Sequence, residues 1–281
     1  MTAINKIINS SKEQIMPGKF INSPFPTDEL MQVDPFVLLH HFGPYKVSKS
    51  SSFSFEPHPH RGFEAVTFLF EGEFEHKDST GGFGRLSSGD VQWMTAGSGI
   101  IHVEKQPEEF LEKGGVIHGI QLWVNLPKSA KDTEPKYQDI KNTDIPKVEE
   151  NGNILRVIGG EYNGVKGPAK TFTPIMAIHG ILKNENDIKI TIPPSYNSLI
   201  YITRGEVKAE ETIVSETNMV LLNRGTSSVK VKAQGQAEFL LLAGEPINEP
   251  VVQYGPFVMN NMAEIKKAFL DYSNGLMGKI N

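Results

Sequence analysis

Short apolar runs of strand length recur along the chain, and clusters of Gly, Asn or Ser break them. Examples are "EAVTFLF" (64–70), "DVQWMT" (90–95), "IIHVE" (100–104), "GIQLWVNL" (119–126), "PIMAIHGIL" (174–182), "SLIYIT" (198–203), "MVLLN" (219–223) and "AEFLLLA" (237–243). Many short strands at this spacing predict an all-β chain of antiparallel sandwiches or barrels. One helix is predicted over 261–273, near the C-terminus. Asn261 can cap it with Glu264 three residues on, Ile265, Ala268, Phe269 and Tyr272 follow helical spacing, and Gly275 stops it. Its apolar stripe is expected to dock on a barrel.

The pattern occurs twice. "VTFLFEGEFE" (66–75) resembles "LIYITRGEVKAE" (199–210), with Gly72-Glu73 matching Gly205-Glu206. "GDVQWMTAGS" (89–98) resembles "TNMVLLNRGT" (217–226), with Gly97 matching Gly225. The expected organisation is therefore two related β domains in tandem, 1–135 and 136–281. The polar, Pro-containing stretch 127–153 reads as the connection.

Composition narrows the chemistry. The 281 residues include no cysteine, which excludes disulfides, thiolate metal sites and cysteine nucleophiles. Net charge is −5, and no run of five Lys/Arg occurs, so direct nucleic-acid binding is not expected. No apolar run is long enough to span a membrane, and the first residues carry no apolar leader segment. The expectation is a cytoplasmic protein with no membrane partner.

The segment "EPHPHRGFE" (56–64) carries the chemistry. His58 precedes Pro59 and is therefore held in extended geometry. In an extended chain residues two apart point to one side, so His58 and His60 project together. "IIHVE" repeats that spacing with His102 and Glu104. Two neighbouring strands would then offer three nitrogens and one carboxylate to one point. Any one histidine on a strand is more often a hydrogen-bonded core residue than a ligand. Two such pairs favour a divalent transition metal; Fe(II), Mn, Co, Ni, Cu(II) or Zn suits these donors.

The second copy sharpens the contrast. Sliding the alignment without gaps places Thr191 and Pro193 opposite His58 and His60, and Lys230 and Lys232 opposite His102 and Glu104. None of these four completes a metal site, and the lysines would oppose a cation.

At these residues the sequence resembles the pirin family of the cupin superfamily. "PHPHRGFE", "GDVQWMTAGSGIIHVE", "HGIQLWVNLP" and "GEPINEPVVQYGPFVMN" carry the resemblance, which runs from about residue 20 to the C-terminal helix. It implies a bicupin: two double-stranded β-helix (jelly-roll) barrels, with one metal in the N-terminal barrel and a helix at the C-terminus. The family's ligands fall on His58, His60, His102 and Glu104. Cupins in general draw their carboxylate from the first motif, which would be Glu64 here. Glu104 is preferred because its partner His102 fixes its side of the strand.

The resemblance further implies a dioxygenase of quercetin 2,3-dioxygenase type. Its substrate would be a small aromatic enol such as a flavonol, with dioxygen as co-substrate. Glu104 would be the catalytic base taking the proton of the enol hydroxyl. The alternative is a regulatory protein without turnover, whose iron redox state switches a surface for a protein partner. A structural metal, usually Zn, is a third reading.

Other residues are read more plainly. His40 and His41 face opposite ways on a strand, so at most one is interior, and His118 and His179 read as structural. Arg61 either meets an anionic substrate at the pocket mouth or is an ordinary surface arginine. Phe53, Phe55, Trp93 and Trp123 could wall an aromatic pocket, although core packing is the stronger default.

Overall fold

Two four-stranded sheets with the same internal order carry the repeat. In the computed structural model, which describes residues 3–183 and 187–280, the first is ordered Phe55–His60, Ile100–Lys105, Glu73–Asp78, Phe83–Ser87. The second is ordered Ile188–Thr191, Ser228–Ala233, Glu206–Ala209, Thr212–Ser215. Each copy also has a seven-stranded sheet. One contains Lys136–Ile140, Val91–Thr95, Phe63–Glu71 and Gly115–Asn125 as neighbours; the other contains Asn218–Leu222, Asn197–Arg204, Ala237–Gly244 and Ile175–Leu182. The ladders between these strands are antiparallel. The matched glycines of the repeat share their backbone role: Gly72 (φ 103°) and Gly205 (φ 72°) both take a positive φ at the bend where the chain leaves a seven-stranded sheet for a four-stranded one.

The compact units are not contiguous along the chain. One comprises residues 1–13, 22–41 and 143–247, the other 14–21, 42–142 and 248–281, so each takes chain from both sides of residue 135. The stretch 127–153 is not a plain connection. Its strand Lys136–Ile140 extends the first copy's sheet by pairing with Val91–Thr95, and Lys147–Glu150 pairs with Asn153–Gly159 in the second. Period-2 apolarity is weak in "KYQDI", because an edge strand buries only part of its surface.

The two interiors are built from opposite materials. In the second copy the inward positions are Ile188, Ile190, Val207, Ala209, Val229, Val231 and Ala233, all fully buried in one aliphatic cluster. In the first copy inward positions change character along a strand. Phe74 belongs to an apolar cluster with Phe42, Phe53, Leu69 and Leu86, whereas His76 and Asp78 on the same face are polar. Each buried Phe or Leu contributes roughly 1.5–3 kcal/mol, so the polar end is maintained against a stabilising alternative that the second copy adopts.

The C-terminal helix spans Met262–Ser273, where the spacing predicts it. The Asn261 side chain accepts from the Glu264 amide at 3.0 Å, a cap worth about 1 kcal/mol. Ile265 and Ala268 are buried against Phe257, Met259 and Met277. Phe269 and Tyr272, expected in the same stripe, remain 39% and 38% exposed. A second, short helix, Glu108–Lys113, was not signalled, since it buries no residue and so shows no apolar stripe.

Candidate metal centre

His58, His60 and His102 converge. Strands Phe55–His60 and Ile100–Lys105 pair antiparallel with His58 opposite His102 and His60 opposite Ile100. The three rings lie 4.7 Å (58–60), 4.4 Å (58–102) and 4.9 Å (60–102) apart between centroids. One donor atom from each lies within 4.8 Å of the others. Pro59 holds His58 extended, and the strand's two-residue period does the rest.

The donors suit a metal. Nδ1 of His58 lies 2.8 Å from the Glu56 carbonyl, which can only accept, so Nδ1 carries the proton and Nε2 keeps its lone pair. The ring nitrogens of His60 and His102 are buried and make no hydrogen bond of ordinary geometry. A buried polar group left so costs about 1–3 kcal/mol, which a bound cation would remove. Burial, reinforced by His58, pushes His60 down to about 3, and burial drives His102 well below the usual histidine range. Both imidazoles are therefore neutral at pH 7, the form that ligates.

Glu104 lies outside this three-residue group. The ladder to Phe55–His60 shifts register between His102 and Glu104, so Glu104 pairs with Phe55 on one side and His76 on the other. It is buried, and burial raises its carboxyl above the usual range, partly offset by His58, His76 and a hydrogen bond to Thr67. Glu64 is engaged elsewhere. It pairs with Thr95, whose hydroxyl donates to Oε1 at 2.8 Å, and burial pushes it up to about 7. Its neighbours in the strand take the other face: Phe63 contacts His60, and Thr67 reaches Glu104.

In the second copy Thr191 and Lys230, which the ungapped alignment sets opposite His58 and His102, face solvent. Lys189 pairs with Lys230 and Ile188 with Val231, so Thr191 is not the register partner facing the site. Lys230 is exposed rather than aimed inward, and Lys232 pairs with Lys208. The inward positions on these two strands are Ile188, Ile190, Val229, Val231 and Ala233, all fully buried and none able to ligate a metal. A one-residue slip exchanges the two faces of a strand, which is why the lysines seemed to oppose the site.

Trp123 stacks on Phe63 at 4.1 Å and lies 5.2 Å from His60, and Phe55 lies 6.3 Å from His58, so both border the cluster. Phe53 and Trp93 are fully buried core. His41 is interior against Tyr201 at 3.1 Å, and His179 sits between Arg156 and Glu238. His118 is buried against Phe70. Arg61 is neither surface nor free for a substrate: it is buried and paired with Asp271 at 2.6 Å.

Sequence reasoning missed His76. It is 3% exposed, lies opposite Glu104, stacks on Tyr137 at 4.6 Å and faces Asp139 across 3.7 Å. Its i, i+2 partner Asp78 was the available signal. Beyond Phe74, however, "EFEHKD" is polar on both faces, so alternation gives no contrast around His76.

Fold and site together define a bicupin, two β barrels of which one gathers histidines at its polar end. Residues 18–124 match the family model described as Pirin, and residues 177–278 match the Pirin C-terminal cupin domain. The chain belongs to the pirin family. It is 46% identical over 252 residues to Pirin-1 of Arabidopsis thaliana, covering 88% of this chain and 84% of that one. It is 40% identical over 256 residues to Pirin of Homo sapiens, covering 89% and 85%. A crystal structure of quercetin 2,3-dioxygenase from Acinetobacter baumannii superposes with a TM-score of 0.93 at 38% identity, covering all of both chains. No helix among the described residues is long and apolar enough to cross a membrane.

Proposed function

We propose that this protein is a metal-dependent dioxygenase of the pirin type that cleaves a small aromatic enol such as a flavonol. His58, His60 and His102 hold one divalent transition metal, Fe(II) in the first instance, and Glu104 serves as fourth ligand and base. The observation that carries the reading is the convergence of three imidazoles, two with buried, unpartnered nitrogens, in a chain similar end to end to a quercetin 2,3-dioxygenase. When bound, the metal supplies Lewis acidity and a place for substrate and dioxygen.

The protein's own residues supply the rest. Neutral His60 and His102 offer lone pairs without proton competition at pH 7, and the Glu56 carbonyl fixes the tautomer of His58. Burial raises the proton affinity of the Glu104 carboxylate, which suits it to take the proton of an enol hydroxyl. Thr67 restrains that carboxylate, and the rings of Trp123 and Phe55 offer flat apolar walls to an aromatic substrate.

The test pairs metal analysis of protein purified without added metal with an oxygen-electrode assay on quercetin. One equivalent of metal and flavonol-dependent oxygen uptake, both lost in a His58→Ala/His60→Ala double variant, are expected. Metal-replete protein that consumes no oxygen with any flavonol defeats the catalytic reading, and metal retained by the double variant defeats the ligand assignment.

A further inference from the structure

The C-terminal segment touches the chain beside two of the three histidines, one on each ligand strand. Next to His60, the Arg61 carbonyl accepts from the Val258 amide at 3.0 Å, and the Arg61 guanidinium donates to Asp271 of the C-terminal helix. Both ends of that ion pair are shielded, at 9% and 13% side-chain exposure. Next to His102, the Ile101 amide donates to Oγ of Ser79 at 3.1 Å, and that hydroxyl donates to the Met277 carbonyl at 2.6 Å. The Ile101 side chain packs against the cluster of Phe257, Met259, Ile265 and Met277.

Lys131 is the unusual member of this arrangement. Its side chain is buried, and burial pushes the ammonium down to about 8. Its three donors meet three acceptors: the Gly62 carbonyl at 2.8 Å, Oδ1 of Asn125 at 2.7 Å and the Val258 carbonyl at 2.9 Å. An ammonium in such a place costs solvation and is retained only where all its donors are used. Here it joins the residue two beyond His60 to the C-terminal segment. Gly62 itself sits at φ 85°, where a Cβ would lie 2.1 Å from the Val258 carbonyl, so the two backbones meet with no side chain between them.

We infer that Lys131, Arg61–Asp271 and Ser79 are positioning residues. They fasten the C-terminal segment to both ligand strands and thereby set the spacing of His60 and His102 around the metal. This rests on the metal-centre reading above. None of the four belongs to the proposed ligand set; Lys131 and Ser79 act through the backbone of residues 62 and 101, and Asp271 through the Arg61 side chain. Groups one layer behind a ligand commonly alter metal affinity by about 10–100-fold.

The probe is Co(II), whose visible absorption reports ligand number and geometry independently of turnover. Metal-free protein is titrated as wild type, Lys131→Met, Ser79→Ala, Asp271→Asn and the exposed control Lys230→Met, with thermal melts of each. Lys131→Met should bind Co(II) at least about 10-fold more weakly. Its absorption bands at saturation should be shifted, a change that lower global stability alone does not produce. Ser79→Ala and Asp271→Asn should shift the bands in the same direction by less, and Lys230→Met should match wild type. Folded Lys131→Met with unchanged affinity and unchanged bands overturns the inference. If Lys131→Met does not fold, the two milder variants decide it by the same criterion: shifted bands support it and wild-type bands overturn it. Wild type that fails to bind Co(II) defeats the metal-centre reading itself, and the positioning role with it.

Discussion

Replacing His60 by leucine should make the metal-free protein more stable and less sensitive to acid, while removing its response to metal. His60 is 3% exposed, neither ring nitrogen is well partnered, and its folded-state pKa is about 3. The folded value lies below the unfolded one of about 6.5. The contribution is therefore intact above pH 6.5 and is lost as pH falls from 6.5 towards 3, because the unfolded chain takes up a proton that the folded chain refuses. At pH 5 the loss is about 2 kcal/mol relative to pH 7.5, or roughly 4–8 °C in the melting transition of a unit this size. Leucine carries no proton, so this part of the acid sensitivity should vanish. At neutral pH the variant should gain about 1 kcal/mol by deleting an unsatisfied buried group. In metal at 100 times its dissociation constant, wild type should gain about 2.7 kcal/mol and the variant almost nothing. The assay is thermal unfolding of both proteins at pH 5 and 7.5, in chelator and in metal. Equal acid sensitivity in the two proteins, or a metal-dependent rise retained in the variant, would refute the reasoning.

Glu64 should behave in the opposite sense. Its folded pKa of about 7 lies above the unfolded value, so stability is intact below pH 4.5 and is lost as pH rises to about 7, by about 3 kcal/mol at most; Glu64→Gln should flatten that limb of the pH–stability curve. Glu104→Gln should lower turnover of a flavonol by about 100-fold or more while changing its binding much less, since an amide cannot take the proton; Glu64→Gln should spare turnover, and steady-state oxygen uptake distinguishes the two. With a net charge of −5, affinity for bare duplex DNA should be weak and should fall steeply between two salt concentrations; submicromolar binding at physiological salt contradicts this.

Local pattern alone determined much of this protein. The i, i+2 spacing of His58–His60 and His102–Glu104 is legible because strand geometry has a fixed period, and Pro59 enforces it. Gly72 and Gly205 mark equivalent turns because a positive φ excludes most side chains. Asn261, Glu264 and Gly275 mark a helix because its ends leave backbone groups in need of partners.

Tertiary structure decided which strand meets which, and in what register. The pairing of His58 with His102, and the shift that sets Glu104 opposite His76, depend on ladders between segments about 45 and 30 residues apart in sequence. The same register turns Lys230 to solvent and fills the second barrel with Ile188, Ile190 and Val231. His76 was hidden because its strand is polar on both faces beyond Phe74. Arg61 found Asp271 across 210 residues because the helix packs beside residue 61. A one-dimensional pattern fixes the period of a strand, whereas its partner and phase are chosen by closing a whole barrel, where a one-residue slip exchanges inside for outside.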